Sequence, residues 1–120
     1  MTEKRRFLRF ETALSAFCET ASGKIKAATN VKNISKEGAL LLIDKPVREG
    51  TGLNLSMDIP GDNVPIVAAG RVAWQKEVKR SGGHSIYETG VKFIDINNVD
   101  KGRLLEYIYT QWLRILDNVK

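Results

Sequence analysis

Apolar and polar residues alternate in steps of two through most of residues 10–93, and this alternation limits the fold more than any other property of the chain. In TGLNLSMDIPG, residues 51–61, the side chains of Leu53, Leu55, Met57 and Ile59 fall on one face and those of Asn54, Ser56 and Asp58 on the other. Successive strand side chains point to opposite faces, so this spacing predicts a strand half buried against a core. PIVAAGRVAWQKEV, residues 65–78, places Ile66, Ala68, Val72 and Trp74 in phase with Gly70, and SIYETGVKF, residues 85–93, does the same with Tyr87, Thr89, Val91 and Phe93. Both internal glycines suit a bend or a bulge.

Turn-forming clusters separate the runs: SGK at 22–24, VREGTG at 47–52, IPGDNVP at 59–65 and RSGGH at 80–84. Each link is short enough for an antiparallel hairpin. With earlier runs at about 11–19, 24–33 and 38–43 the count reaches six strands, which favours a small antiparallel barrel or split barrel. Near the end the period changes. Leu104, Leu105, Ile108, Trp112, Ile115, Leu116 and Val119 follow helical spacing, opposite Arg103, Glu106, Thr110, Arg114 and Asp117. An Asn or Asp of DINNVDKG, residues 95–102, is suited to cap that helix, whose stripe is expected to pack on the barrel. The fold class is therefore all-β with one C-terminal helix: a basic, flexible arm over 1–10, a barrel over 11–96 and a helix over 97–118, making one domain of 120 residues.

Composition narrows function by exclusion. At 42% hydrophobic and 28% charged, the chain has the make-up of a globular protein. Cys18 is the lone cysteine, so neither an intrachain disulfide nor a thiolate metal cluster can form, and a reducing compartment is expected. The apolar runs are too short for a signal peptide or a bilayer span, the longest being ALLLI at 39–43. These features predict a cytoplasmic protein. His84 is the one histidine, set beside two glycines in a loop, and no spacing such as H-E-x-x-H exists. Carboxylates such as Asp58, Asp62, Glu77 and Glu88 are scattered over polar faces and turns. No catalytic residues, metal site or cofactor are expected, and the chain reads as a binding protein rather than an enzyme.

Net charge is +5, and Lys4, Arg5, Arg6 and Arg9 against Glu3 put +3 of it on the first ten residues. A basic arm suits an anionic ligand. The second informative segment is NISKEG at 33–38. Asn33 and Ser35 lie two apart on an extended segment and so share a face, able to bond one flat ligand edge, while Gly38 permits a turn or a close backbone approach. Asn, Ser and Gly also build plain turns, and that reading stands for the segment alone. Trp74 and Trp112 could stack on a base, yet both fall in phase with apolar neighbours, which favours core packing.

Together, RRFLR with Arg5 and Arg9 and NISKEG with Asn33, Ser35 and Gly38 resemble the two motifs of the PilZ family of bacterial cyclic di-GMP receptors, R-x-x-x-R and [D/N]-x-S-x-x-G, in the family's order. GRVAW and TGVKFIDI look like the two following strands of that family. The resemblance implies a six-stranded PilZ-type barrel with the arginine arm folded over cyclic di-GMP. It also implies ligand contacts from Arg5, Arg9, Asn33, Ser35 and Gly38, with Lys4 and Arg6 as possible additions, and output through a partner protein of motility, polysaccharide or envelope machinery. Two alternatives stand beside it. One is a PilZ-like interaction module that binds no nucleotide; the other is a small β-barrel for single-stranded nucleic acid, disfavoured because the aromatics fall mostly in core phase.

Overall fold

In a computed structural model that describes residues 10–118, the chain forms six strands followed by one helix. The strands are β1 (Phe10–Thr20), β2 (Lys26–Ile34), β3 (Gly38–Ile43), β4 (Gly52–Met57), β5 (Ile66–Lys79) and β6 (Ser85–Ile96), and the helix is α1 (Asn98–Asn118). All pairings are antiparallel, and the order β1-β2-β3-β6-β5-β4 closes on itself through β4 and β1. Closure leaves no open sheet edge, so each strand in the ring has neighbours on both sides.

The alternation read from the sequence is the alternation of the barrel wall. Leu14, Ala16 and Cys18 of β1, Leu53, Leu55 and Met57 of β4, and Ile66, Ala68 and Val72 of β5 all point inward and are buried. Ile34, Leu41, Ile43 and Val91 complete the same core. Cys18 is 3% exposed, and burial pushes its thiol pKa up. The crossing from β3 to β4 is held by Gln75. Its Oε1 accepts from the Val47 N–H at 2.9 Å, and its Nε2 donates to the Lys45 carbonyl and to Thr89 Oγ1 at 3.2 and 3.0 Å.

Helix α1 starts where Asn97 Oδ1 accepts from the Asp100 N–H at 2.8 Å, an N-cap of the expected residue type. Its first turns are fastened to the β4–β5 connection. The Arg103 guanidinium bonds Asp62 at 2.6 Å, Asp100 at 3.0 Å and the carbonyls of Val64 and Pro65, while Asp100 Oδ2 accepts from the Val67 N–H at 3.1 Å. The bond from Val67, then Arg103 and Asn97, holds the Asp100 carboxyl below the usual carboxylate range. Asp62 is lowered first by the Val64 N–H and then by Arg103.

The expectation that the whole helical stripe packs on the barrel needs correction. Leu104 is 1% exposed, and Tyr107 and Ile108 are partly buried against the core. Leu105, Tyr109, Trp112, Leu113 and Leu116 stand 37–58% exposed. A helix of 21 residues is about 30 Å long and turns 100° per residue, so one barrel mouth covers only one flank of its first turns.

Candidate functional site

On β2 the inward phase runs Ala27, Thr29, Val31, and then breaks. Register shifts between Val31 and Asn33 toward β3, and between Glu11 and Leu14 on the β1 side, let Ile34 enter the core at 0% exposure. Asn33 is thereby turned onto the outer face. A bulge re-aims side chains in this way at little cost to the ladder beyond it. Asn33 is partly buried, and its Oδ1 is enclosed with no hydrogen-bond partner among the described residues. A buried acceptor left unpaired costs about 1–3 kcal/mol, so a donor that reached this atom would be stabilising.

Ser35 and Gly38 have different work. The Ser35 N–H donates to the Gly38 carbonyl at 2.9 Å, and Ser35 Oγ accepts from the Glu37 N–H at 3.3 Å, closing the β2–β3 hairpin around Lys36 and Glu37. Ser35 is 2% exposed, so its hydroxyl serves the turn. Of the two residues expected to share one ligand-facing side, Ser35 has its hydroxyl engaged in the turn, while Asn33 Oδ1 is unpaired among the described residues. Gly38 is required by close approach: a Cβ there would overlap the Val91 carbonyl oxygen of β6. The hairpin tip is also tied to β6 by the bond from the Phe93 N–H to the Glu37 carbonyl, 2.7 Å.

The registers align one further residue with Asn33. Asn33 pairs with Leu40, Leu40 with Gly90, and Gly90 with Trp74, so a single cross-strand row runs over β2, β3, β6 and β5. At about 4.8 Å between strands the row is about 14 Å long. Trp74 lies over Gly90, where a Cβ would collide with the indole, and is 42% exposed. The reading of Trp74 as a core residue is thus corrected. A second register shift, between Val72 and Trp74, carries it from the inner phase to the outer face. Phase counting alone cannot see a bulge; the only sequence trace is the glycine that makes room for the ring. A shallow cleft of about 200 Å³ opens here, lined by Glu37, Gly38, Trp74, Gly90 and Lys92 among others. An adjoining cleft carries Lys36, Lys92 and Lys101.

Arg5 and Arg9, with Lys4 and Arg6, lie outside the described residues. The strand they lead into is placed: Phe10 is paired with Ile34 and Glu11 with Asn33, so β1 begins beside the Asn33 end of the row. Among the described residues no group of His, Cys, Asp and Glu is arranged to hold a metal ion, and no helix is long and apolar enough to cross a membrane. His84 sits exposed at the tip of the β5–β6 hairpin.

The outer wall therefore carries an amide oxygen unpaired among the described residues and an exposed indole, with lysines in the clefts beside the indole. Such a surface suits a planar heterocycle carrying hydrogen-bond donors and negative charge. The model of the PilZ domain matches residues 3–110. Among solved structures, MrkH of K. pneumonia in its apo state is similar with a TM-score of 0.78 at 17% identity, over 98% of this chain and 55% of that one. MotI/DgrA, the Bacillus subtilis inhibitor of motility, is similar with a TM-score of 0.72 at 17% identity, over 94% and 53%. The PilZ domain of YcgR from Escherichia coli, solved with c-di-GMP, is similar with a TM-score of 0.67 at 15% identity, over 97% and 96%. The chain thus spans about half the length of the MrkH and MotI chains it resembles. No sequence among the curated proteins matches it.

Proposed function

Because the chain belongs to the PilZ domain family, we propose that it is a receptor for cyclic di-GMP that passes the signal to a partner protein and carries out no chemistry itself. The observation that carries this reading is the enclosed, unpartnered Asn33 Oδ1 at the head of the row that ends at Trp74. Guanine N1–H and N2–H₂ are donors of the kind this oxygen lacks. The indole of Trp74, 42% exposed, offers a flat face to a purine.

Arg5 and Arg9 are the natural partners of the two phosphates and of guanine O6 and N7, since a guanidinium forks onto either. Lys4 and Arg6 add positive charge on both sides of Arg5. Ser35 supports the ligand indirectly, by fixing the hairpin that presents Asn33 and Gly38. The MrkH and YcgR structures solved with c-di-GMP support this ligand class. The receptor would work in the cytoplasm, where the nucleotide is made, and hand its output to motility, polysaccharide or other envelope machinery.

Calorimetric titration tests the proposal, with GTP and cyclic di-AMP as controls. The expected result is saturable cyclic di-GMP binding at micromolar ligand, lost in Arg9→Ala and little restored in Arg9→Lys, because a point charge cannot reproduce two parallel bonds. Absence of heat up to millimolar ligand in low salt would leave the nucleotide-free interaction module as the better reading. Tight, steeply salt-dependent binding of oligonucleotides without a cyclic di-GMP response would favour the nucleic-acid barrel.

A further inference from the structure

Helix α1 carries two apolar stripes. The first, around Leu104 and Tyr107, lies on the barrel. The second is Leu105, Tyr109, Trp112 and Leu116, 38%, 58%, 37% and 46% exposed. These residues are spaced four, three and four apart, the repeat of a two-helix seam, and at 100° per residue they centre about 130° around the helix from the barrel-facing stripe. A third flank, holding Arg103, Glu106, Thr110 and Arg114, is polar. The seam is therefore a distinct surface rather than an overflow of the core.

We propose that this seam is the contact surface for a second copy of the chain, paired through antiparallel α1 helices. The seam is complementary to itself in that orientation. With the crossing between residues 110 and 111, Leu105 meets Leu116 of the second copy and Tyr109 meets its Trp112, giving two outer aliphatic layers and two central aromatic ones. Tyr109 and Trp112 already sit with ring centroids 6.2 Å apart and planes tilted by 47°, an arrangement a second such pair can flank. Electrostatics select the same orientation. A parallel pair would set two barrels of chains with net charge +5 side by side, whereas the antiparallel pair holds them at opposite ends and opposes the helix dipoles.

The size of the patch sets the strength of the dimer. Four seam residues and Leu113 at these exposures offer roughly 400 Å² per copy, within the range of the largest apolar patches on monomers. Both copies together bury about 800 Å², below the 1,200–2,000 Å² of stable complexes. The dimer is accordingly weak and concentration-dependent, and it tightens as salt screens the like charge of the two chains.

Sedimentation of the full chain over low to high micromolar concentrations tests this. The expected result is a monomer–dimer equilibrium that strengthens with salt and is shifted at least tenfold toward monomer by Leu116→Glu, with unchanged melting of the monomer. Orientation is read by oxidative cross-linking. Leu105→Cys mixed with Leu116→Cys should cross-link, and each variant alone should not; Cys18 is buried and contributes little background. Self-linking of each single variant without the mixed product would overturn the antiparallel pairing. A chain that stays monomeric at every concentration, or a Leu116→Glu variant that dimerises like the parent, would overturn the second copy as occupant and leave the face to another protein.

Discussion

Gly38→Ala asks whether the last residue of NISKEG is held by the barrel as well as by any ligand. Gly38 is not one of the glycines with positive φ, so an alanine meets no backbone penalty there, and in a strand it would ordinarily gain about 0.5–1 kcal/mol. Here the new methyl overlaps the Val91 carbonyl oxygen, a ladder group with nowhere to retreat. Overpacking of this kind costs about 1–3 kcal/mol. Displacing the hairpin tip also strains the bond from the Phe93 N–H to the Glu37 carbonyl, worth about 1 kcal/mol. The net loss is about 1–3.5 kcal/mol after the alanine gain is subtracted. With an unfolding entropy of about 0.25 kcal/mol/K for a chain of this size, Tm falls by about 4–14 °C. Gly102→Ala is the control, since its Cβ meets nothing within 4 Å inside α1 and should raise Tm by about 3–4 °C. Calorimetric melting of both variants without ligand is the assay. A Gly38→Ala protein melting within about 3 °C of the parent would refute the steric reasoning.

Asn33→Leu removes an unpaired buried acceptor, so ligand-free melting should hold or rise while cyclic di-GMP affinity drops about fivefold or more, read by titration; a fall in Tm with intact affinity would contradict the role given to Oδ1. Asp62 and Asp100 have folded pKa values below their unfolded ones, so their contribution is complete above the unfolded value near 4 and is lost as pH falls through the folded values. Denaturant titrations at pH 7 and about pH 3 should therefore show a smaller acid loss for Asp100→Asn than for the parent, and equal losses would count against the stabilisation of the Asp100 carboxylate by the Val67 N–H and Arg103.

The barrel was legible in the sequence because inner and outer residues of β1 from Leu14 on, of β4 and of most of β5 alternate without interruption. The candidate site was legible as composition and order, through Asn33, Ser35 and Gly38, but not as geometry. Asn33 reaches the outer face by a register shift, and Trp74 does the same on β5, where unbroken counting puts it in the core. Such shifts are set by pairing between strands, which single-strand patterns do not record. Ser35 illustrates the same limit: its hydroxyl faces the turn because Glu37 offers an N–H two residues on. On α1 the spacing marks Leu104 and Ile108, which meet the core, together with Leu105, Trp112 and Leu116, which do not, because spacing cannot say how far the barrel mouth extends beneath a helix. Val119 lies outside the described residues.

The strand order has a consequence for how the protein comes into being. Gly38 finds its partner in Lys92, and Asn33 shares its row with Gly90 and Trp74, so the wall is assembled from segments made far apart in time during synthesis. Closing such distant loops is slow, which places the chain among the millisecond-to-second folders. The NISKEG segment of a nascent chain has no β6 behind it and no indole at the end of its row. Recognition should therefore appear late and all at once, when β6 has left the ribosome and docked, and excised peptides spanning the motif alone should have no measurable affinity for the nucleotide.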